Sequence, residues 1–264
     1  MKNTLFILLC LGLMCEARGQ HQKNELRLSA GILKMAMRDE QASPLRYGAD
    51  AAAVQLRYVH RGNRSRFGIE FAPAVGTALP DRFGVRRYGD DFYSYAVESA
   101  YYQLDLGVHY LRRLTREDQS KLHLFVGGGI RENFRYADAV ANFNWATNLL
   151  ALRAEGRAEW TPGARHRFTA QAGLPVFAAV TRHAHANFPK STHEPNLVAF
   201  FREGTRRATV NHLQQLALEA TYQFRVSKRW GVGGTYAFEG FRYSLPRTVR
   251  AVNQSFLLES GYHF

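Results

Sequence analysis

Along most of the chain, polar and apolar residues alternate with a period of two. This is the pattern of an extended strand with one wet face and one dry face. In the segment 148–160, Leu150, Leu152, Ala154, Gly156, Ala158 and Trp160 share one face, while Arg153, Glu155, Arg157 and Glu159 share the other. The segment 212–225 sets Leu216, Leu218, Ala220, Tyr222 and Phe224 against Gln215, Glu219, Thr221, Gln223 and Arg225. The segment 251–264 sets Phe256, Leu258, Ser260, Tyr262 and Phe264 against Ser255, Glu259 and His263. Read the same way, the chain gives strands at about 25–35, 51–61, 66–76, 95–111, 121–131, 148–160, 167–177, 212–225, 230–241 and 251–264. It has no heptads, no helical stripe of useful length and no low-complexity tract.

The connections alternate in length as strictly as the residues alternate in polarity. Tight polar turns fall at 61–65, 112–120, 161–166 and 227–229. Longer connections fall at 36–50, 77–94, 132–147, 178–211 and 242–250. An up-and-down barrel in an outer membrane requires this order, with short turns on one side, long loops on the other and an even strand number. The expected fold is all-β: an antiparallel up-and-down transmembrane β-barrel of about ten strands, with eight or twelve as alternatives. Periodicity alone does not say which face meets lipid. The aromatics do: Tyr58, Phe67, Tyr110, Trp160, Phe168, Phe224, Trp230 and Phe264 lie on apolar faces beside the short turns. A soluble core would scatter its rings along the strands, whereas a girdle at one level marks a membrane interface.

The first residues read differently. Lys2, the apolar run Leu5 to Met14 and Ala17-Arg18-Gly19 make a secretory signal over 1–19, cleaved after Gly19, with 20–264 as the outer-membrane barrel domain. The apolar run is too short to cross a bilayer, which takes about 20 residues. A lipoprotein signal would use Cys15, but Gly12-Leu13-Met14 lacks the small residue such signals place directly before the cysteine. Cys10 and Cys15 both lie in the signal, so the mature chain is expected to carry no disulfide and no thiolate chemistry. The expected location is the bacterial outer membrane.

The ending Ser255-Phe256-Leu257-Leu258-Glu259-Ser260-Gly261-Tyr262-His263-Phe264 resembles the terminal strand of bacterial outer-membrane proteins. That resemblance implies that Tyr262 and Phe264 form a signal read by the barrel-assembly machinery. The segments Tyr102 to Tyr110 and Leu122 to Gly129 resemble a hairpin of small Bacteroidota outer-membrane β-barrel proteins, the PorT-like group. This chain has Asp105-Leu106-Gly107 where a proline is usual in that group. The resemblance implies a barrel without a catalytic motif, in a group some of whose members serve secretion.

The polar faces carry Arg57, Asp105, His109, His123, Arg153, Glu155, Arg157, Glu159, Arg167, Glu219, Arg225, Glu239 and Glu259. Residues two apart share a face, so Arg153-Glu155-Arg157-Glu159 forms a ladder of alternating sign, with Arg167 opposite or diagonal to Glu159 across the turn. Barrels of this size are filled by their own side chains, while open channels belong to about 16 strands. The pattern therefore points to a closed interior and a non-enzymatic structural or surface-interaction role. A narrow transport channel, an outer-membrane lipid hydrolase and a rim protease stand beside it as alternatives. For a rim protease, Asp90, Asp91, His183, His185, His193 and His212 supply the residue types without a motif around them; for a hydrolase, Ser94 and Ser99 do so. His183 and His185 fall short of the three or four ligands of a zinc site. Gly127-Gly128-Gly129 lies in a strand and marks a bulge or a close backbone approach. No catalytic, cofactor-binding or metal-binding residue is expected.

Charge changes the picture last. With 35 Lys and Arg against 22 Asp and Glu, the formal charge is +13. In an exported chain the natural polyanion is lipid phosphate rather than nucleic acid. By loop, the first and third long connections are slightly acidic and the second is balanced. The fourth carries Arg182, Lys190, Arg202, Arg206 and Arg207 against Glu194 and Glu203. The fifth carries Arg242, Arg247 and Arg250 with no acid. Arg202, Arg206, Arg207, Arg247 and Arg250 are therefore the candidate anion-binding set. The expected partners are outer-membrane lipid, through glycolipid phosphate, and the assembly machinery during biogenesis. The sequence does not indicate an oligomeric state.

Overall fold

A computed structural model describes residues 23–43, 45–80, 86–88, 95–97, 99–115, 121–140, 143–182 and 196–264. The signal segment 1–19 with Cys15, and the loop residues Asp90, Asp91, Ser94, His183, His185 and His193, lie outside the described residues. Long strands run in order: β1 (Asn24–Asp39), β2 (Arg46–Arg61) and β3 (Ser65–Pro80), then a small hairpin of β4 (Arg86–Tyr88) and β5 (Tyr95–Val97). There follow β6 (Ser99–Arg113), β7 (Leu122–Val140), β8 (Phe143–Trp160) and β9 (His166–Arg182). A helix α1 (Asn196–Gly204) and a short strand β10 (Thr205–Ala208) precede β11 (Leu213–Arg225), β12 (Trp230–Tyr243) and β13 (Val249–His263). The ten long strands pair antiparallel with their neighbours in sequence, and β13 returns to β1, so the sheet closes into the expected ten-stranded barrel. Asn24 and Phe264 exchange backbone hydrogen bonds of 3.0 and 2.9 Å at the seam. Among the described residues, no helix is long and apolar enough to cross a membrane.

The four tight turns lie where the sequence places them. The long connections are shorter than expected, because the strands continue through them. β1 runs to Asp39 and β2 starts at Arg46, for example, inside the stretch read as a loop. β1 shows the cause, an inversion of polarity along the strand. In the lower part of β1, Leu26, Leu28 and Ile32 point outward while Glu25, Arg27 and Ser29 are buried inside. Above this level Lys34 and Arg38 point outward while Leu33, Met35 and Met37 are buried inside. One strand thus crosses lipid and then stands in water, and the hydrophobic effect places its apolar side chains outward first and inward afterwards. The inward residues of the upper part build an apolar cap, with Met35, Met37, Tyr47, Tyr101, Trp145, Leu149, Leu213 and Tyr243 in one cluster.

At the opposite end lies the aromatic girdle. Trp160 and Phe168 have centroids 5.2 Å apart, Phe168 and Tyr222 4.9 Å, Trp230 and Tyr262 5.0 Å, and Tyr262 and Phe264 6.0 Å. The triple glycine is a close backbone approach without a bulge. A Cβ at Gly127 would lie 2.1 Å from the Tyr110 carbonyl oxygen, and at Gly129 2.5 Å from that of Val108.

One seam is interrupted. β9 pairs with β11 from His166–Phe224 up to Gly173–Ala217, and no higher. From Ala178 to Thr181 the same edge of β9 pairs with β10 instead. Between these two stretches, residues 174–177 have no cross-strand partner on that edge. Pro175 lies within this stretch and has no N–H to offer, and the β8–β9 register shifts at the same level.

Candidate functional site

The lower interior is a lattice of charge, but its bonds run across the lumen more than along the strands. Arg57 donates to Glu219 at 2.5 Å and to Glu70 at 3.0 Å. Arg131 lies 3.3 Å from Glu70 and 3.4 Å from Asp105. Glu159 accepts from Arg66 at 3.2 Å and lies 3.6 Å from both Arg61 and Arg157. Glu25 gathers Arg27 at 2.7 Å, Arg167 at 3.7 Å and the side chain of Arg61. The ladder of 153–159 is therefore only partly a ladder. Arg157 keeps its neighbour Glu159, Glu155 accepts from Gln171 at 2.8 Å, and Arg167 turns to Glu25. Arg225 departs from the expected interior set: it is exposed, because its position at the end of β11 is beyond the packed lumen.

Above the lattice the interior is closed by the apolar cap and one polar clamp inside it. Asp39 accepts from Arg182 at 2.5 Å and from the Trp145 indole at 2.9 Å. Arg182 also donates to the carbonyls of Leu245 and Arg247, which ties the fourth connection to the fifth. Within the lattice is a small cavity of about 100 Å³, lined by Arg57, Glu70, Asp105, Arg131, Glu219 and Glu239. Arg153, Gln171, Gly173 and Ala217 are on its β9–β11 side, and Leu33, Ala53 and Leu257 are on its walls toward the cap.

The outward face of the upper barrel carries a feature that a tally of charge per loop hides. Arg46 is in register with Arg38, Arg38 with Arg250, and Arg250 with Arg242. Four exposed arginines thus cross four adjacent strands in one row, at about 4.8 Å per strand. Like charges directly opposite one another repel. Arg38, Arg242 and Arg250 have no carboxylate within ion-pair distance among the described residues. From Ile32, the last residue of the outward apolar run of β1, to Arg38 is 38 − 32 = 6 residues. With a rise of about 3.4 Å and a tilt of about 40°, that places Arg38 roughly 15 Å above the apolar run of β1, while on β13 the exposed Val252 stands two residues below Arg250.

Of the candidate set Arg202, Arg206, Arg207, Arg247 and Arg250, the structure brings Arg250 alone into this row. Arg247 is exposed in the β12–β13 turn, and Arg206 and Arg207 are exposed on β10. Arg202 is exposed on α1 and lies 3.5 Å from Glu203. Sequence reasoning missed Arg38 and Arg46 because they sit in a connection that is acidic by count; only the strand register aligns them. His212 closes the turn before β11, with Nδ1 3.2 Å from Ser244 Oγ, and Ser99 is buried. No group of three or more His, Cys, Asp or Glu that could hold a metal ion occurs among the described residues.

A sheet closed on itself, with an apolar outer band, an aromatic girdle and a charge-filled lumen, defines a transmembrane β-barrel of the outer-membrane type. The solved structures it resembles are of that kind. It is similar to the outer-membrane protease OmpT of Escherichia coli, with a TM-score of 0.56 at 8% identity, covering 94% of this chain and 99% of that one. It is also similar to the translocator domain of the autotransporter NalP from Neisseria meningitidis, with a TM-score of 0.45 at 13% identity, covering 100% of this chain and 95% of that one. A third is the transport unit of the autotransporter AIDA-I from Escherichia coli, with a TM-score of 0.42 at 12% identity, covering 98% of this chain and 97% of that one. No protein-family model and no curated protein sequence matches the chain. At these identities the likeness to OmpT is one of fold.

Proposed function

We propose that this protein is an integral, non-conducting barrel of the bacterial outer membrane whose outer collar holds the sugar phosphates of outer-leaflet glycolipid. The observation that carries this reading is the in-register row of Arg46, Arg38, Arg250 and Arg242. Phosphate relieves the repulsion within the row, and the planar guanidinium fork holds its oxygens bidentately. The height of Arg38 chooses the lipid. A phospholipid headgroup layer ends about 5–8 Å beyond the hydrocarbon, short of Arg38, whereas phosphates on a sugar head reach it. Tyr262 and Phe264, stacked at the girdle, stand as the proposed end read during assembly. The kinship with PorT-like barrels of Bacteroidota rests on the hairpin residues of β6 and β7.

The test compares two sets of substitutions to Gln: Arg38, Arg242 and Arg250 from the row, and Arg202, Arg206, Arg207 and Arg247 from the loops. Thermal shifts are measured with purified glycolipid at low and high salt. The row variant is expected to lose most of the shift and the loop variant to keep most of it. Salt should weaken the wild-type shift, because exposed charges are screened over about 8 Å at physiological ionic strength. A row variant that shifts as wild type does would overturn the proposal.

A further inference from the structure

The short turns hold a surplus of positive charge that the interior lattice does not use. Arg64 stands in the β2–β3 turn, Arg112 near the end of β6 and Lys121 just before β7. Arg165 stands in the β8–β9 turn, and Arg225, Lys228 and Arg229 lie around the β11–β12 turn. All seven are exposed, and none has a carboxylate within ion-pair distance or a side-chain hydrogen bond among the described residues. The acids nearest this rim, Glu25 and Glu159, are buried and held by Arg27, Arg61 and Arg66. No exposed Asp or Glu side chain occurs on this rim among the described residues. Arg165 and Arg225 even face one another across the β9–β11 seam, where the Arg225 N–H donates to the Arg165 carbonyl at 2.7 Å. Like charges so placed repel, and an anion from outside the chain relieves the repulsion.

The level of these cations names what meets them. Arg112 is two residues beyond the outward Tyr110, and Arg225 directly follows Phe224. Arg229 directly precedes Trp230, and Arg165 lies three residues from Phe168. Each of those neighbours belongs to the aromatic girdle. At about 3.4 Å per residue and a tilt of about 40°, the cations lie roughly 3–8 Å beyond it. A phospholipid headgroup layer extends about 5–8 Å beyond the hydrocarbon, which is the same interval. The turns also lie in different sectors of the closed sheet, between its second and third long strands, its fourth and fifth, its sixth and seventh, and its eighth and ninth. The charge therefore encircles the barrel. A docked protein would meet one sector, whereas an annulus of lipid meets them all.

We propose that this ring binds the diester phosphates of anionic phospholipid, of the phosphatidylglycerol class, and gathers them from the inner leaflet around the short-turn end of the barrel. A zwitterionic headgroup carries its own ammonium beside the phosphate and is drawn in less. Net charge sets the attraction, so lysine serves here as well as arginine does, unlike at a site that needs the planar fork. The inference does not depend on the arginine row, which lies at the other end of the molecule.

Tryptophan reports on this end of the barrel alone. Of the three tryptophans, Trp160 and Trp230 are 46% and 52% exposed at the girdle, while Trp145 is buried in the cap. The full-length protein is folded into vesicles of phosphatidylcholine and phosphatidylglycerol in equal parts, with bromine on the acyl chains of one lipid or of the other. Brominated phosphatidylglycerol should quench the girdle fluorescence about twofold more than brominated phosphatidylcholine, and high salt should bring the two together. Replacing Arg112, Arg165, Arg225 and Arg229 with Gln should equalise the two lipids, while replacing the same four with Lys should keep the difference. Quenching of the Gln variant by brominated phosphatidylcholine shows that it has inserted. Replacing Arg38, Arg242 and Arg250 of the outer row with Gln should leave the wild-type preference as it was. Equal quenching by the two lipids in the wild-type protein, or a preference that survives in the Gln variant, would overturn the proposal. So would loss of the preference on adding soluble polyglutamate at a carboxylate concentration matching the lipid phosphate, because the ring would then suit an acidic protein at least as well.

Discussion

Arg135 is 1% exposed, bonded to Glu239 at 2.5 Å and lying over the Phe241 ring at 4.9 Å. Such a pair gains little over well-packed apolar residues, because desolvation of both ions offsets their attraction. Breaking it from one side is another matter, since the remaining charge has neither water nor partner. Arg135→Met alone is expected to cost about 3–5 kcal/mol, and Arg135→Met with Glu239→Leu much less. Urea unfolding of the four members of this cycle in lipid vesicles checks it; equal losses for the single and double variants would argue against a coupled pair.

β1 shows at the scale of one element how a strand answers to two solvents. Ala30 and Ala36 both point outward, one among Leu28 and Ile32 and the other between Lys34 and Arg38. Ala30→Arg places a charge in lipid and should cost about 2–4 kcal/mol, while Ala36→Arg should stay within about 1 kcal/mol. Unfolding titrations of both variants in the same vesicles distinguish them, and similar costs would remove the proposed water level on this strand. The inversion also decides what could be read beforehand. Alternation, the turn order and the girdle gave the barrel, its strand number and its lower interior, because there one face is apolar throughout. Met37 on β1 and Tyr47 on β2 fell in a stretch read as a loop, since no sequence rule for a lipid-facing strand expects its apolar side chains to move inside. The arginine row and the interrupted seam of β9 stayed out of sight for a different reason. Both are properties of register, and alternation fixes the face of a residue but not its neighbour on the next strand.

For the whole molecule, the apolar cap has a thermodynamic consequence. Unfolding raises heat capacity in proportion to the apolar surface that passes from protein to water. The lipid-facing band of this barrel contributes little to that term if the unfolded chain stays at the membrane, and its lumen is polar. The cluster of Met35, Met37, Tyr47, Tyr101, Trp145 and Tyr243 is different, since it is buried from water as a soluble core is. Calorimetry in vesicles should therefore give a positive heat-capacity change well below the roughly 12–15 cal/mol/K per residue of globular proteins. Most of that change should belong to the cap. Replacing Met35 and Met37 with Ser ought to lower it, while replacing the equally apolar Leu28 and Ile32 with Ala ought to leave it where it was. If instead the two pairs changed it equally, the cap would not be the part of the molecule that unfolds into water.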